Sequence, residues 1–360
     1  MCIRDRYGDI NASDILVTRL STNVLAESAV GVIATSGDPR SNLNNTLVGF
    51  DFLYNNTRLA NNRSLQGEAW YQESNTEGVE EDQRAYGLRL TSPNRLGWRG
   101  GVGVKQIEEN FSPALGYVSR SGIRDHTLET GYGLRVSHPF FRTLYFGMDA
   151  ERINLIKGDL QTQVLTLRAF EFESHTRDQG YLRIHQTKEA LINPYEIWAQ
   201  GTNKVVIPTG DYSFNEAEIR VESGQVREIW GTLGYRSGEF YSGNRQQKTA
   251  GIGWRPSMHF QLTLNYTVND VQLPYGDFDT ELLQLRNDII FSSTMSWSTL
   301  LQYDNLTDTV GINTRLHWIP KAGQEGIIVL NHNLQDLELN NRFKSTLADL
   351  AIKFNYTFRF

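Results

Sequence analysis

The sequence predicts an all-β chain, a transmembrane antiparallel up-and-down β-barrel of about 18–20 strands that lacks its first strand or strands. Three observations carry that expectation. Apolar and polar residues alternate at period two over nearly the whole length. The connections between alternating segments are short and long in turn, and aromatic residues gather where segments meet the short ones.

Successive side chains of a strand point to opposite faces, so each alternating segment presents one apolar and one polar face. "TLVGFDFLY", "RLGWRGGVGVK" and "RTLYFGMDAE" follow this rule in the first half. "HTLETGYGLRV" sets Leu128, Tyr132 and Leu134 against Glu129, Gly131 and Arg135. "HFQLTLNYTVN" sets Phe260, Leu262, Leu264 and Tyr266 against Gln261, Thr263, Asn265 and Thr267. "TMSWSTLLQY" and "TVGINTRLHW" continue it, the latter with Ile312, Leu316 and Trp318 on one side and Asn313, Arg315 and His317 on the other. The closing "AIKFNYTFRF" places Leu350, Ile352, Phe354, Tyr356, Phe358 and Phe360 on a single face. About 19 such segments are readable, most near the nine to eleven residues with which a tilted strand crosses a bilayer.

Short connections are expected at 22–23, 61–62, 92–94, 137–139, 223–224, 255–257 and 292–293. Longer polar stretches lie between them: "SGDPRSNLNN", "ESNTEGVEEDQ", the segment 106–126, the segment 186–210 and "NDVQLPYGDFD". Short turns at one rim and long loops at the other form the outer-membrane barrel pattern. Trp98, Trp254, Trp297, Trp318, Phe358 and Phe360 border the short turns, where a ring at headgroup depth forms an aromatic girdle.

Composition narrows the function classes. A net charge of -6 and the lack of a basic cluster interleaved with aromatics give no case for nucleic acid. The single Cys2 rules out a disulfide framework and a cysteine-based zinc site. No apolar run reaches the length of a membrane-spanning helix. The mean hydropathy of -0.43 is compatible with a barrel, because half of each strand faces a polar interior.

Several stretches resemble one family: "SAVGVIATS", "ENFSPALGYVSRSGIRDH", "PYEIWAQGTNKVVIPTGDYSFNEAEIRV" and "LRNDIIFSSTMSWSTLLQYDNLTDTVGINTRLHWIPKAGQEGIIVLN". They are similar to bacterial outer-membrane β-barrels of unknown function that follow an N-terminal carbohydrate-binding-like (family 9-like) module. The resemblance implies a bacterial outer-membrane location, with the lipid bilayer and the outer-membrane assembly machinery as partners. It brings no catalytic residue. Residues 1–13 read as an unstructured leader or loop remnant and 14–360 as the barrel. No apolar signal segment precedes position 14, so the expectation is that these residues are the C-terminal part of a longer protein.

The polar positions supply candidate lumen-lining residues: Arg89, Lys105, Glu129, Arg135, Asp149, Arg286, Asp288, Arg315 and Lys353. Such a lining conducts small polar solutes or glycans, or pairs its charges across a filled interior. Asp125 beside His126 is poorly placed as a catalytic pair, because neighbours on an extended segment point to opposite faces. The remaining histidines show no metal-ligand spacing. The expectation is therefore a pore, or a membrane anchor and conduit for a surface module, with no catalytic residues and no cofactor. A rim-located hydrolase, a carbohydrate-linked uptake protein and a soluble β-sandwich or propeller are the alternatives.

Overall fold

The computed structural model describes residues 14–336 and 342–357. The expectations for residues 1–13 and for Phe358 and Phe360 lie outside the described residues. The strands are β1 (Leu16–Val24), β2 (Ser28–Ser36), β3 (Asn45–Leu59), β4 (Arg63–Thr76), β5 (Arg84–Ser92), β6 (Gly97–Ile107), β7 (Ile123–Arg135), β8 (Phe141–Leu155), β9 (Leu160–Ser174) and β10 (Gln179–Leu191). They continue with β11 (Tyr195–Gln200), β12 (Asn203–Ile207), β13 (Gly210–Glu222), β14 (Ile229–Phe240), β15 (Gly243–Ser257) and β16 (Phe260–Leu273). The last are β17 (Gly276–Ser292), β18 (Met295–Asp304), β19 (Thr309–Trp318), β20 (Gln324–Gln335) and β21 (Lys344–Tyr356). A 3-10 turn, Ala60–Asn62, joins β3 to β4.

Nineteen of these strands form one antiparallel up-and-down sheet, and β11 and β12 pair separately. The sheet is open, with β1 paired to β2 and β21 to β20 but not to each other. No helix among the described residues is long and apolar enough to cross a membrane. The chain divides into two compact units. The first holds the residues up to Arg135 with Tyr145–Leu167 and Thr187–Ala190; the second holds Val136–Leu144, Arg168–Gln186 and Leu191 onward.

Within the second unit, the register carries the alternation from strand to strand through the middle of the sheet, with bulges only near strand ends in the β15–β16, β17–β18 and β20–β21 pairs. Leu233 pairs with Ala250, Ile252 with Leu264, Leu264 with Leu285, Leu285 with Leu301, Leu301 with Ile312, and Ile328 with Ile352. These residues cover no protein core: Leu233 is 69%, Ile252 53% and Ile352 71% exposed. The first unit repeats the pattern, with Val32 opposite Phe50, Phe50 opposite Tyr71, Tyr71 opposite Tyr86 and Leu88 opposite Val104.

The expected turns at 61–62, 92–94, 137–139, 223–224 and 292–293 fall at strand ends. Three expected connections differ. Arg255, Pro256 and Ser257 are the last residues of β15, and the chain turns after them at 258–259. Thr22 and Asn23 lie inside β1, and the chain turns at 25–27 with Leu25 at φ 56. "NDVQLPYGDFD" is not a long loop: β16 and β17 run through it and meet in a tight turn at 274–275. Its carboxylates, Asp270 opposite Asp279, occupy one face of the extended ribbon, while Val271 and Leu273 on the other face are buried. The charges look like a loop, yet they are the wet side of a strand pair. The stretch 186–210 likewise contains the β11–β12 hairpin.

Glycines on the polar face admit flat aromatic rings from the neighbouring strand. Trp230 faces Gly253 directly across β14–β15 and lies where any Cβ at 253 would stand. Trp70 does the same over Gly87, where an added Cβ would come within 2.7 Å of the indole nitrogen. A bare backbone position on one strand thus becomes the seat of a ring on the next.

Candidate functional site

The polar face is where the charged side chains converge. In the second unit its most buried member is Glu216, with a side chain 1% exposed. The carboxylate accepts hydrogen bonds from Arg236 Nη2 at 2.6 Å and from Arg245 Nε at 2.9 Å and Nη2 at 2.6 Å. Arg245 also lies 4.3 Å over the Phe240 ring. One turn of alternation further along β13, Glu218 accepts from the Tyr181 hydroxyl at 2.6 Å and meets His185 Nε2 at 3.2 Å. Two guanidinium groups on one carboxylate fix three adjacent strands against one another, since each charge is stable there only with its partner.

The candidate lining residues occupy this same kind of face. Arg286 is opposite Thr263 and holds Asp288 through Nε at 2.8 Å. Asp288 is opposite Ser298, and Ser298 is opposite Arg315. Lys353 sits opposite Ile327, next along β20 from Glu325 and Val329 at the same parity. In the first unit, Lys105 is opposite Asp125 and reaches its carboxylate at 2.9 Å. Glu129 pairs with Arg99 at 2.9 Å, and Arg99 lies 4.0 Å over the Tyr145 ring. Arg135 shares the parity of Glu129 on β7, and Asp149 that of Tyr145 on β8. Arg89 faces Glu68 across β4–β5 without an ion pair within the described residues. Glu68, Arg89, Arg99 and Glu129 line a hollow of about 710 Å³ on this face.

The segment 108–122 folds onto the polar face of the first unit. Phe111 is buried against Leu47 and Ala85, with Ile107 and Trp70 packed around them. Asn45 ties the segment down, its Nδ2 donating to Ser112 O at 2.8 Å and its Oδ1 accepting from Ala114 N at 3.1 Å. Arg120 donates to Gln161 and Thr162 on β9. Asp125 faces Lys105 on the polar side, and His126 points to the apolar side opposite Val104. The two therefore do not converge on a reactant. No group of three His, Cys, Asp or Glu among the described residues could hold a metal ion.

At the short-turn end of the second unit, Asp178 organises two turns. Its carboxylate accepts from Ser174 Oγ at 3.0 Å, Thr176 Oγ1 at 2.8 Å, Gly224 N at 2.8 Å and the Arg227 guanidinium. Arg227 above all, with the backbone and hydroxyl donors, holds this carboxyl well below the usual carboxylate range, although burial opposes the shift. A depressed folded-state pKa stabilises the fold above the unfolded value of about 3.9, and that contribution is lost progressively as the pH falls from there through the lower folded-state value. Asp178→Asn is therefore expected to cost about 2 kcal/mol at pH 7. Denaturant melts of both proteins from pH 7 to pH 2 should show the difference shrinking on the acid side. A constant gap would mean that the charge on Asp178 contributes nothing.

Trp98, Trp254, Trp297 and Trp318 stand at the short-turn ends of β6, β15, β18 and β19 on the apolar face. Trp254 packs edge-on against Phe260 at 5.6 Å, and Trp98 against Tyr132 at 5.2 Å. Trp230 differs, being 6% exposed and turned to the polar face. The Glu216–Arg236–Arg245 and Tyr181–His185–Glu218 groups were not among the sequence candidates. "FNEAEIRVE" does signal them, with Glu216, Glu218, Arg220 and Glu222 at period two. No protein-family model and no curated protein matches the chain.

Proposed function

We propose that the chain is the membrane-spanning part of a bacterial outer-membrane β-barrel and acts as a pore for small polar solutes. One observation carries this reading: the apolar face is a band with defined limits. Along β17 the apolar-face positions run Asp277, Asp279, Glu281, then Leu283, Leu285, Asn287, Ile289 and Phe291. On β16 the same boundary falls between Val268 and Asp270, directly opposite Glu281 and Asp279. Carboxylates thus border the band on the long-loop side, and Trp254, Trp297, Trp318 and Phe291 border it on the other. A soluble core would not expose Leu, Ile and Val in a belt of this kind, whereas hydrocarbon requires one.

Closure is part of the proposal. Strands spanning lipid leave no backbone group unpaired, so the sheet must meet itself or a further strand. In an up-and-down sheet of 19 strands the first and last run in the same direction, so an all-antiparallel seam takes one strand more. The resemblance stated from the sequence agrees with an outer-membrane location, and the mixed charges of the polar face suit a water-filled interior.

Purified, refolded protein in a planar bilayer is the test. Discrete, ohmic conductance steps are expected. An integral membrane protein that gives no steps would instead favour the anchor-and-conduit role, for which the inward-folded segment 108–122 is the supporting observation. A protein that stays soluble and monomeric without detergent would sink both.

A further inference from the structure

Among the described residues the β11–β12 hairpin is the one strand pair outside the large sheet, and its packing says which side of that sheet it occupies. Val205 and Ile207 of β12 are 3% and 0% exposed, buried against Val271 and Leu273 of β16. Val271 shares parity with Asn269 and Thr267 and lies opposite Phe278, so it belongs to the polar face. Trp198 of β11 stacks on Phe278 with ring centroids 5.7 Å apart and planes at 17°. Tyr212 and Phe240, at polar-face positions of β13 and β14, complete the apolar seat. The tip is tied down as well: Gln200 Nε2 donates to Asn305 O at 3.1 Å and to Asp308 Oδ2 at 2.9 Å, in the turn after β18.

The hairpin therefore starts beside β13 and ends at the β18–β19 turn, lying across the polar-face side of β14–β17. Five strand spacings of roughly 4.8 Å make a span of roughly 24 Å. An arm of 6 residues extends roughly 20 Å, enough to bridge it with the tip side chain. The seat is a buried apolar cluster on the polar face, and the hairpin is fixed along β12, at Trp198 and at its tip. A mobile surface loop would have none of these.

We infer that this hairpin is a fixed constriction of the solute path, narrowing it at the long-loop end above Glu216, Arg236 and Arg245. The inference rests on the pore reading. Its occupants are small hydrated solutes, because a strand pair laid across the polar face removes cross-section without presenting a deep pocket. Charges beneath it carry both signs and are mutually paired, so size more than charge decides passage.

Two variants test it in planar bilayers. One replaces residues 193–207 with a short Gly-Ser linker; the other, Trp198→Ala with Gln200→Ala, keeps the length and removes the stack and the tip anchor. Retained strand circular dichroism and heat-resistant migration in detergent establish that each variant is folded. Single-channel conductance is expected to rise roughly twofold or more in the linker variant, and to become noisy in the double variant, because current follows open cross-section. Larger neutral sugars should then enter liposomes that the wild type excludes. A silent wild type with a conducting linker variant would make the hairpin a complete plug and support the inference further. Equal conductance in all three would overturn the constriction and leave the pore standing. Silence in all three would overturn the pore reading and the constriction with it.

Discussion

Leu264→Arg is expected to destabilise the protein by about 2–4 kcal/mol in lipid vesicles, the cost of a guanidinium on the lipid side near the midplane. Leu264 lies between Ile252 and Leu285 in the middle of the apolar band, so under the proposed membrane-spanning role its replacement has no water to reach. Thr263→Arg, one residue away on the opposite face, should stay within about 1 kcal/mol, the small loss reflecting Arg286 directly across the strand pair. Denaturant unfolding of the two variants side by side measures the asymmetry. Equal losses would mean a sheet buried on both faces, as in a soluble sandwich.

Glu216→Ala carries the second large effect. It leaves Arg236 and Arg245 facing each other with no carboxylate between them, in a place where their side chains are 26% and 21% exposed. Removing one member of a buried charged group costs about 3–5 kcal/mol, and partial access of both guanidiniums to water places this case near about 3 kcal/mol. Removing the two uncompensated charges should recover most of it: the triple variant with Arg236→Gln and Arg245→Gln is expected to be more stable than Glu216→Ala alone. If it is equally weak, the loss comes from a cavity and not from uncompensated charge.

Strand positions and faces were legible in the sequence because alternation is a local property. Leu262, Leu264, Ile312 and Leu316 all stand on the apolar face, and Lys105, Glu129, Arg286 and Arg315 on the polar one. Partnerships were not legible. That Glu216 meets Arg236 and Arg245 depends on the register of β13, β14 and β15, which no short stretch of any one strand encodes. The segments lying on the polar face were missed for a different reason. Leu47, Ala85, Val271 and Phe278 are apolar residues at polar-face positions near the long-loop ends, and each is covered by a segment folded onto that face. Taken singly they read as lapses in the alternation. Taken together they mark where a segment rests on the polar face. The carboxylates around Pro274 misled in the opposite direction, since a strand that rises past the apolar band wears the composition of a loop.

The flat rings over bare backbone have a bearing on the bore of a channel built from this sheet. Large aromatics standing upright on the inner wall would each project toward the axis and take up lumen. Trp230 over Gly253 and Trp70 over Gly87 instead lie along the wall, so that two neighbouring strands share the thickness of a single ring. The wall gains apolar cover and loses mobile side-chain bulk in the same stroke. Were the sheet closed as proposed, width would be left for the segments lying on the polar face to set, and the strand number alone would not fix the size of the passage.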